Sequence, residues 1–258
     1  MTPLDGLYQH IGPFLMVLAR LGGLFLFAPI LSSASVPYKA RVMLAIILSL
    51  AVYPAIPASQ QVPIALDLYS LAPAMFFEVL IGLAIGLVAS LPMYGVQLGG
   101  LIIGQQLGFG LAGIYNPALD TESDVVGELL LNIALAIFIG IGGLENVFLA
   151  LAATFTQIPL AGAGPGSAPL ELTVGLVSSG FELALRIAAP VLCILLVETL
   201  ATGFIMKTIP QINIMSIGFA VKIIAGFGAL IGALYAMQEV IGDEVLRAGQ
   251  LLLQWTSG

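Results

Sequence analysis

Five charged side chains, Arg20, Glu78, Glu145, Glu198 and Lys222, stand within or at the edge of long apolar runs. A lone charge at mid-bilayer costs about 3 kcal/mol on insertion scales, so several of them on lipid-facing surfaces would be hard to insert. They therefore face other protein helices or a wet cavity. Two kinds of chemistry are open to Arg20, Glu78 and Lys222: ion pairs that hold helices together, or groups lining a polar conduit. Glu182 and Arg186 are a simpler case, because they stand four apart with the acid nearer the N-terminus, the favourable order for a pair on one helix.

Other chemistries have no residues to carry them. The chain has one cysteine, Cys193, and one histidine, His10, which leaves no Cys/His metal cluster, no HExxH and no Cys/His nucleophile pair. Cys193 lies in "APVLCILLV" and reads as a small apolar packing residue. The formal net charge of -7 supplies no clustered Lys and Arg for nucleic acid. Neither a cofactor nor a metal is expected.

The elements that must position these charges follow from composition. Hydrophobic residues make up 60% of the 258 positions, charged residues only 8%, and mean hydropathy is +1.12. Such a chain lacks the polar surface to cover a soluble globule, so an all-α integral membrane protein is expected. "MTPLDGLYQH" is acidic and has no basic stretch before its apolar run, so the first apolar segment is expected to be retained.

A helix needs about 20 apolar residues to cross a bilayer, and the runs are uneven. Ile11 to Pro29 and Val42 to Ile56 are near one span each, joined by "SSASVPYKARV", whose Lys39 and Arg41 favour a cytoplasmic loop. Leu71 to Ile114 runs for about 44 residues, roughly 66 Å as a helix, so it is expected to bend or break, with Pro92 the favoured place. Val125 to Phe155 is interrupted by "GIGGLENV", and Leu172 to Thr208 is again too long for one ordinary span. Ile212 to Gln238 follows, and residues 239–255 predict an amphipathic interfacial helix ending in the lone Trp255.

Glycines four apart mark the long segment: Gly82 and Gly86, Gly95 and Gly99, Gly100 and Gly104, Gly104 and Gly108. A stripe of bare backbone lets helices pack closely. A second reading applies to "GFGLAGIYNP", where Gly108, Gly110 and Gly113 each make helix continuation costly by about 1 kcal/mol. That predicts a loop at membrane depth, tolerated only where protein encloses it or water lines it. Phe109, Leu111 and Ile114 are its apolar tips and suit an obstruction.

Four stretches resemble the FliR family of flagellar type III export-gate components, which is related to a family of virulence injectisomes. They are "LARLGGLFLFAPILSSASVPYKARV", "EVLIGLAIGLV", "GVQLGGLIIGQQLGFGLA" and "PQINIMSIGFAVKIIAGF", in this order along nearly the whole chain. The resemblance implies long kinked helical hairpins in a single membrane domain over residues 1–258, packed in a helical assembly with FliP-like and FliQ-like subunits, on which an FlhB-like subunit docks. It implies residence in the bacterial inner membrane at the flagellar basal body, amid membrane lipid, and passage of unfolded export substrates.

The family's plug corresponds to the glycine-rich loop at about 104–124. That carries a gating role onto Gly104, Gly108, Phe109, Gly110, Leu111, Gly113 and Ile114, beside a methionine-rich ring from the FliP-like subunit. Pro210, Gln211 and Asn213 resemble a partner-facing turn near the cytoplasm. Ala220 replaces a common proline and Asn116 a common aspartate, which puts a helix kink at the first position in doubt. The residues alone also permit a broken-helix solute transporter. Against it, the chain shows no second copy of "GQQLGFGLAG", whereas transporter halves repeat their interruptions. A membrane enzyme lacks a catalytic set.

Overall fold

The structure is a computed structural model that describes residues 3–33, 36–57, 68–109, 124–162, 170–208 and 214–255. Seven α-helices lie among the described residues: α1 Pro3–Phe27, α2 Tyr38–Val52, α3 Leu68–Leu107, α4 Val125–Gly140, α5 Gly143–Gln157, α6 Leu170–Thr208 and α7 Ile214–Trp255. A short 3₁₀ turn, Tyr53–Ala55, closes α2, where Pro54 and Pro57 forbid another helical turn. No strand occurs among the described residues. In hydrocarbon a helix satisfies its own backbone, which is why so apolar a chain folds this way.

Among the described residues five helices are long and apolar enough to cross a membrane, and the pair α4 and α5 supplies a sixth if counted as one broken span. The break falls inside the interruption read from the sequence. Gly142 takes φ 73°, in the left-handed region, and ends the turn between the two helices.

At two places the helices are more continuous than expected. Pro92 does not break α3, which runs unbroken for 40 residues from Leu68 to Leu107. A proline's fixed φ is helical, so one lost ladder bond leaves far fewer unsatisfied groups than abandoning the helix would. Residues 239–255 are likewise no separate element, because α7 continues through them to Trp255 over 42 residues. The polar residues after Gln238 change the surface of that helix without capping it.

The chain divides into two compact units, residues 1–91 with 139–177 and 245–258, and residues 92–138 with 178–244. The first holds α1, α2, the opening part of α3 and α5. Met16, Leu21, Leu24, Ile81, Ile85, Val88, Leu151 and Phe155 are buried in it. The second holds the closing part of α3, α4 and most of α6 and α7. Its buried side chains include Met93, Val96, Ile103, Leu107, Leu130, Leu183, Ile187 and Leu195.

Large apolar side chains also point outward, Met43, Ile47 and Leu50 on α2 and Val197, Leu200 and Phe204 on α6 among them. Only 11% of the Tyr38–Ala55 span is buried. Such a face needs lipid or protein against it.

Candidate functional site

In the first unit, close backbone approach places a buried ion pair. Added Cβ atoms on Gly23, Gly82 and Gly86 would all run into backbone: of Val79, of Arg20, and at 2.7 Å of the Leu24 carbonyl oxygen, respectively. α1 and α3 thus touch along their glycines. Arg20 of α1 and Glu78 of α3 both have side chains at 0% exposure, with Arg20 Nε 2.6 Å from Glu78 Oε2.

The rest of the network comes from α5 and the turn after it. Arg20 Nη1 donates to Thr154 Oγ1 at 3.0 Å and Nη2 to the Ile158 carbonyl at 3.2 Å. The guanidinium lies 4.4 Å from the centre of the Phe155 ring. Glu78 Oε1 accepts from the Ala161 N–H at 3.1 Å. Every guanidinium nitrogen and both carboxylate oxygens therefore have a partner. This is the condition under which a buried pair can repay its desolvation. Between an ion pair and a conduit, the geometry of Arg20 and Glu78 is that of the pair.

The second unit holds the glycine-rich end of α3. A Cβ on Gly95 would lie 2.7 Å from the Gly180 carbonyl oxygen and one on Gly99 2.8 Å from that of Ala184, both on α6. One on Gly100 would lie 2.5 Å from Gly127 Cα on α4. Asp124 precedes α4 as its N-cap, its Oδ1 accepting from the Gly127 N–H at 2.8 Å. Tight packing by small residues is what these glycines do within this chain.

Gly108 ends α3. Its φ is 91°, its N–H donates to the Gln105 carbonyl at 3.0 Å, and the Phe109 N–H donates to the Gly104 carbonyl at 3.1 Å. This bond pair with a left-handed glycine is the Schellman termination of a helix. Phe109 packs its edge on Phe227 of α7, with ring centroids 6.1 Å apart. Gly104 is still inside the helix and buried. Gly110, Leu111, Gly113 and Ile114 lie outside the described residues, as do Pro210, Gln211 and Asn213.

Glu198 and Lys222 line one pocket of about 370 Å³ between α6 and α7, in the second unit. Thr202 Oγ1 lies 2.7 Å from Glu198 Oε1, and Thr199 Oγ1 lies 3.4 Å from Oε2. No ion pair joins Glu198 to Lys222 among the described residues. Glu182 and Arg186 do pair, at 2.6 Å, with side chains 60% and 63% exposed. No group of acidic, Cys or His residues suited to a metal occurs among the described residues.

Sequence reasoning missed Thr154, Phe155 and Ala161, because neutral groups remote in the chain carry no signal of pairing with Arg20. Thr199 and Thr202 were within reach of it, one and four residues beyond Glu198 on the same helix.

Comparison with known proteins matches residues 11–248 to a family model described as bacterial export proteins, family 1. The flagellar biosynthetic protein FliR of Escherichia coli is 31% identical over 227 residues, covering 88% of this chain and 84% of that protein. FliR of Caulobacter vibrioides is 29% identical, covering 89% and 91%. The Yop proteins translocation protein T of Yersinia pestis is 27% identical over 193 residues, covering 74% of this chain and 72% of that one. With nearly its whole length matched, and with helices able to span a membrane, the chain belongs to the bacterial export proteins of family 1, the family that includes the FliR proteins.

Proposed function

We propose that this protein is a non-enzymatic subunit of a flagellar type III export gate in the bacterial inner membrane, at the flagellar basal body. It joins FliP-like, FliQ-like and FlhB-like subunits, forms part of a channel wall, and lends the loop after α3 to a plug. Unfolded flagellar proteins pass through the channel, driven by energy from other components.

The observation that carries this reading is helix length set against exposure. α3, α6 and α7 contain 40, 39 and 42 residues. Each is about 60 Å long, against a hydrocarbon core of about 30 Å. α6 and α7 expose large apolar residues along much of that length, from Val174 to Met206 and from Ile217 to Leu253. Lipid cannot cover a helix twice its own thickness, so other subunits are needed over the remainder. The family match points to export proteins as the source of those subunits.

The plug has its own support in the Schellman end of α3, which releases the chain from the helix at Gly108. Its test is deletion of residues 108–113, followed by ion and small-solute permeability of cells in which the assembled complex is shown to be present. Leakage is expected. Unchanged permeability would remove the plug from the account.

A further inference from the structure

In the second unit, three residues of α7 receive the end of α3. Gly226 is a notch: an added Cβ would run into the Leu107 side chain and lie 3.2 Å from Leu195 Cδ2 of α6, and Leu107 fills the space at 0% exposure. One residue on, the backbone turns at Gly108 with φ 91°, so near the Phe219 ring that a Cβ there would lie 2.8 Å from it. Phe109 then meets Phe227 edge-on, with ring centroids 6.1 Å apart. Phe219 and Gly226 are seven residues apart and Phe227 follows, so the three share one stripe of α7.

These contacts differ in how they are held. Leu107 is enclosed by two helices and cannot leave without opening a void in a packed core. Phe219 is 44% exposed and also lines the 370 Å³ pocket beside Met206, so its ring touches Gly108 with open space next to it. Phe109 and Phe227 are half-buried. The main chain thus has a fixed point at Leu107, a left-handed turn at Gly108, and beyond it two aromatic contacts that set its direction.

We propose that Phe219 and Phe227 are positioning residues for the plug: they latch its stem, Gly108 and Phe109, in the closed arrangement, and export requires the stem to let go. This rests on the plug reading above. An edge-on aromatic contact suits a latch, because it is weak enough to break and re-form, unlike the sealed pair of Arg20 and Glu78. Gly108 suits the pivot, since glycine alone moves between left-handed and right-handed backbone at little cost.

The experiment uses cells in which the full chain is shown to be assembled with other export subunits. Phe219→Ala and Phe227→Ala are each expected to raise ion leakage about two- to tenfold, the shift that loss of one aromatic contact gives an equilibrium between closed and open, whereas Phe227→Tyr keeps the ring and stays sealed. A second measurement ties the stem to its seat. In a Cys193→Ser background, Phe109→Cys combined with Phe227→Cys is expected to leak until dibromobimane joins the two thiols. Bridging, read by the fluorescence of the bridged reagent, is expected to restore the seal and to stop export. Sealed alanine or cysteine variants, a cysteine pair that the reagent does not bridge, or a bridged stem that still exports overturns the latch. Where an alanine variant does not assemble, the cysteine pair decides. Deletion of residues 108–113 separates the two readings: a leaking deletion beside sealed alanine variants removes the latch and leaves the plug, while a sealed deletion removes both.

Discussion

Arg20 Nε sits 2.6 Å from Glu78 Oε2 with both side chains sealed from solvent, a bond that ties α1 to the first third of α3 across 58 residues of sequence. The same guanidinium reaches Thr154 and Ile158, so three helical elements meet at one charge. Removing one partner strands the other as an uncompensated buried charge, at a cost of about 3–5 kcal/mol. Arg20→Met and Glu78→Met are each expected to abolish accumulation of the protein in membranes. The double variant is expected to recover much of it, because a matched apolar pair strands nothing. Quantitative immunoblotting of membrane fractions reads this. A double variant no better than either single one would contradict it.

The exposed pair offers the contrast. Glu182 and Arg186 are more than half exposed, and such helix-surface pairs contribute well under about 1 kcal/mol. Glu182→Gln is expected to leave accumulation unchanged in the same assay. A loss comparable to that of Glu78→Met would mean that the pair is covered by something else in the cell.

Neighbouring glycines on α1 should separate sharply. A Cβ on Gly23 would collide with the Val79 backbone of α3, whereas one on Gly22 would meet nothing within 4 Å. Gly23→Ala is expected to destabilise by about 1–3 kcal/mol, since neither backbone can yield without parting the helices. Gly22→Ala is expected to be neutral or mildly stabilising, by up to about 1 kcal/mol from helix propensity. Thermal denaturation in detergent distinguishes the two, and equal midpoints would contradict the close packing of α1 on α3.

At the end of α3, Gly108 carries φ 91° and faces the Phe219 ring, which a Cβ would meet at 2.8 Å. Gly108→Ala combines a left-handed backbone penalty of about 1 kcal/mol with that clash. Gly108→Asn tolerates the backbone but still requires the Phe219 ring to shift. Both are expected to impair flagellar export, the alanine variant at least as severely, in a swimming assay with expression matched. Wild-type motility in both would show that the termination is dispensable.

What could be read from the sequence was whatever is local. Hydropathy alone gives the all-α membrane class. The i, i+4 spacing gives the Glu182–Arg186 pair, and the glycine spacing gives the close-packed faces of α3. The summed cost of Gly108, Gly110 and Gly113 places the end of that helix near Gly108.

Long-range partners were not readable, because Thr154 stands 134 residues from Arg20 and no local pattern links a threonine to a guanidinium. Nor was helix continuity. Pro92 reads as a break and the charges after Gln238 read as a new interfacial helix, yet α3 and α7 run through both. In a setting where an open backbone costs more than a proline or a few misplaced charges, the helix persists.

Covering of this chain's long apolar helices by other export subunits is what the proposed gate requires. The direct measurement is the mass of the tagged complex extracted from membranes that co-express FliP-like and FliQ-like proteins. The expected result is a discrete particle far heavier than the 26.8 kDa chain, containing this chain together with those subunits. A monodisperse 26.8 kDa monomer that binds a small solute would contradict it.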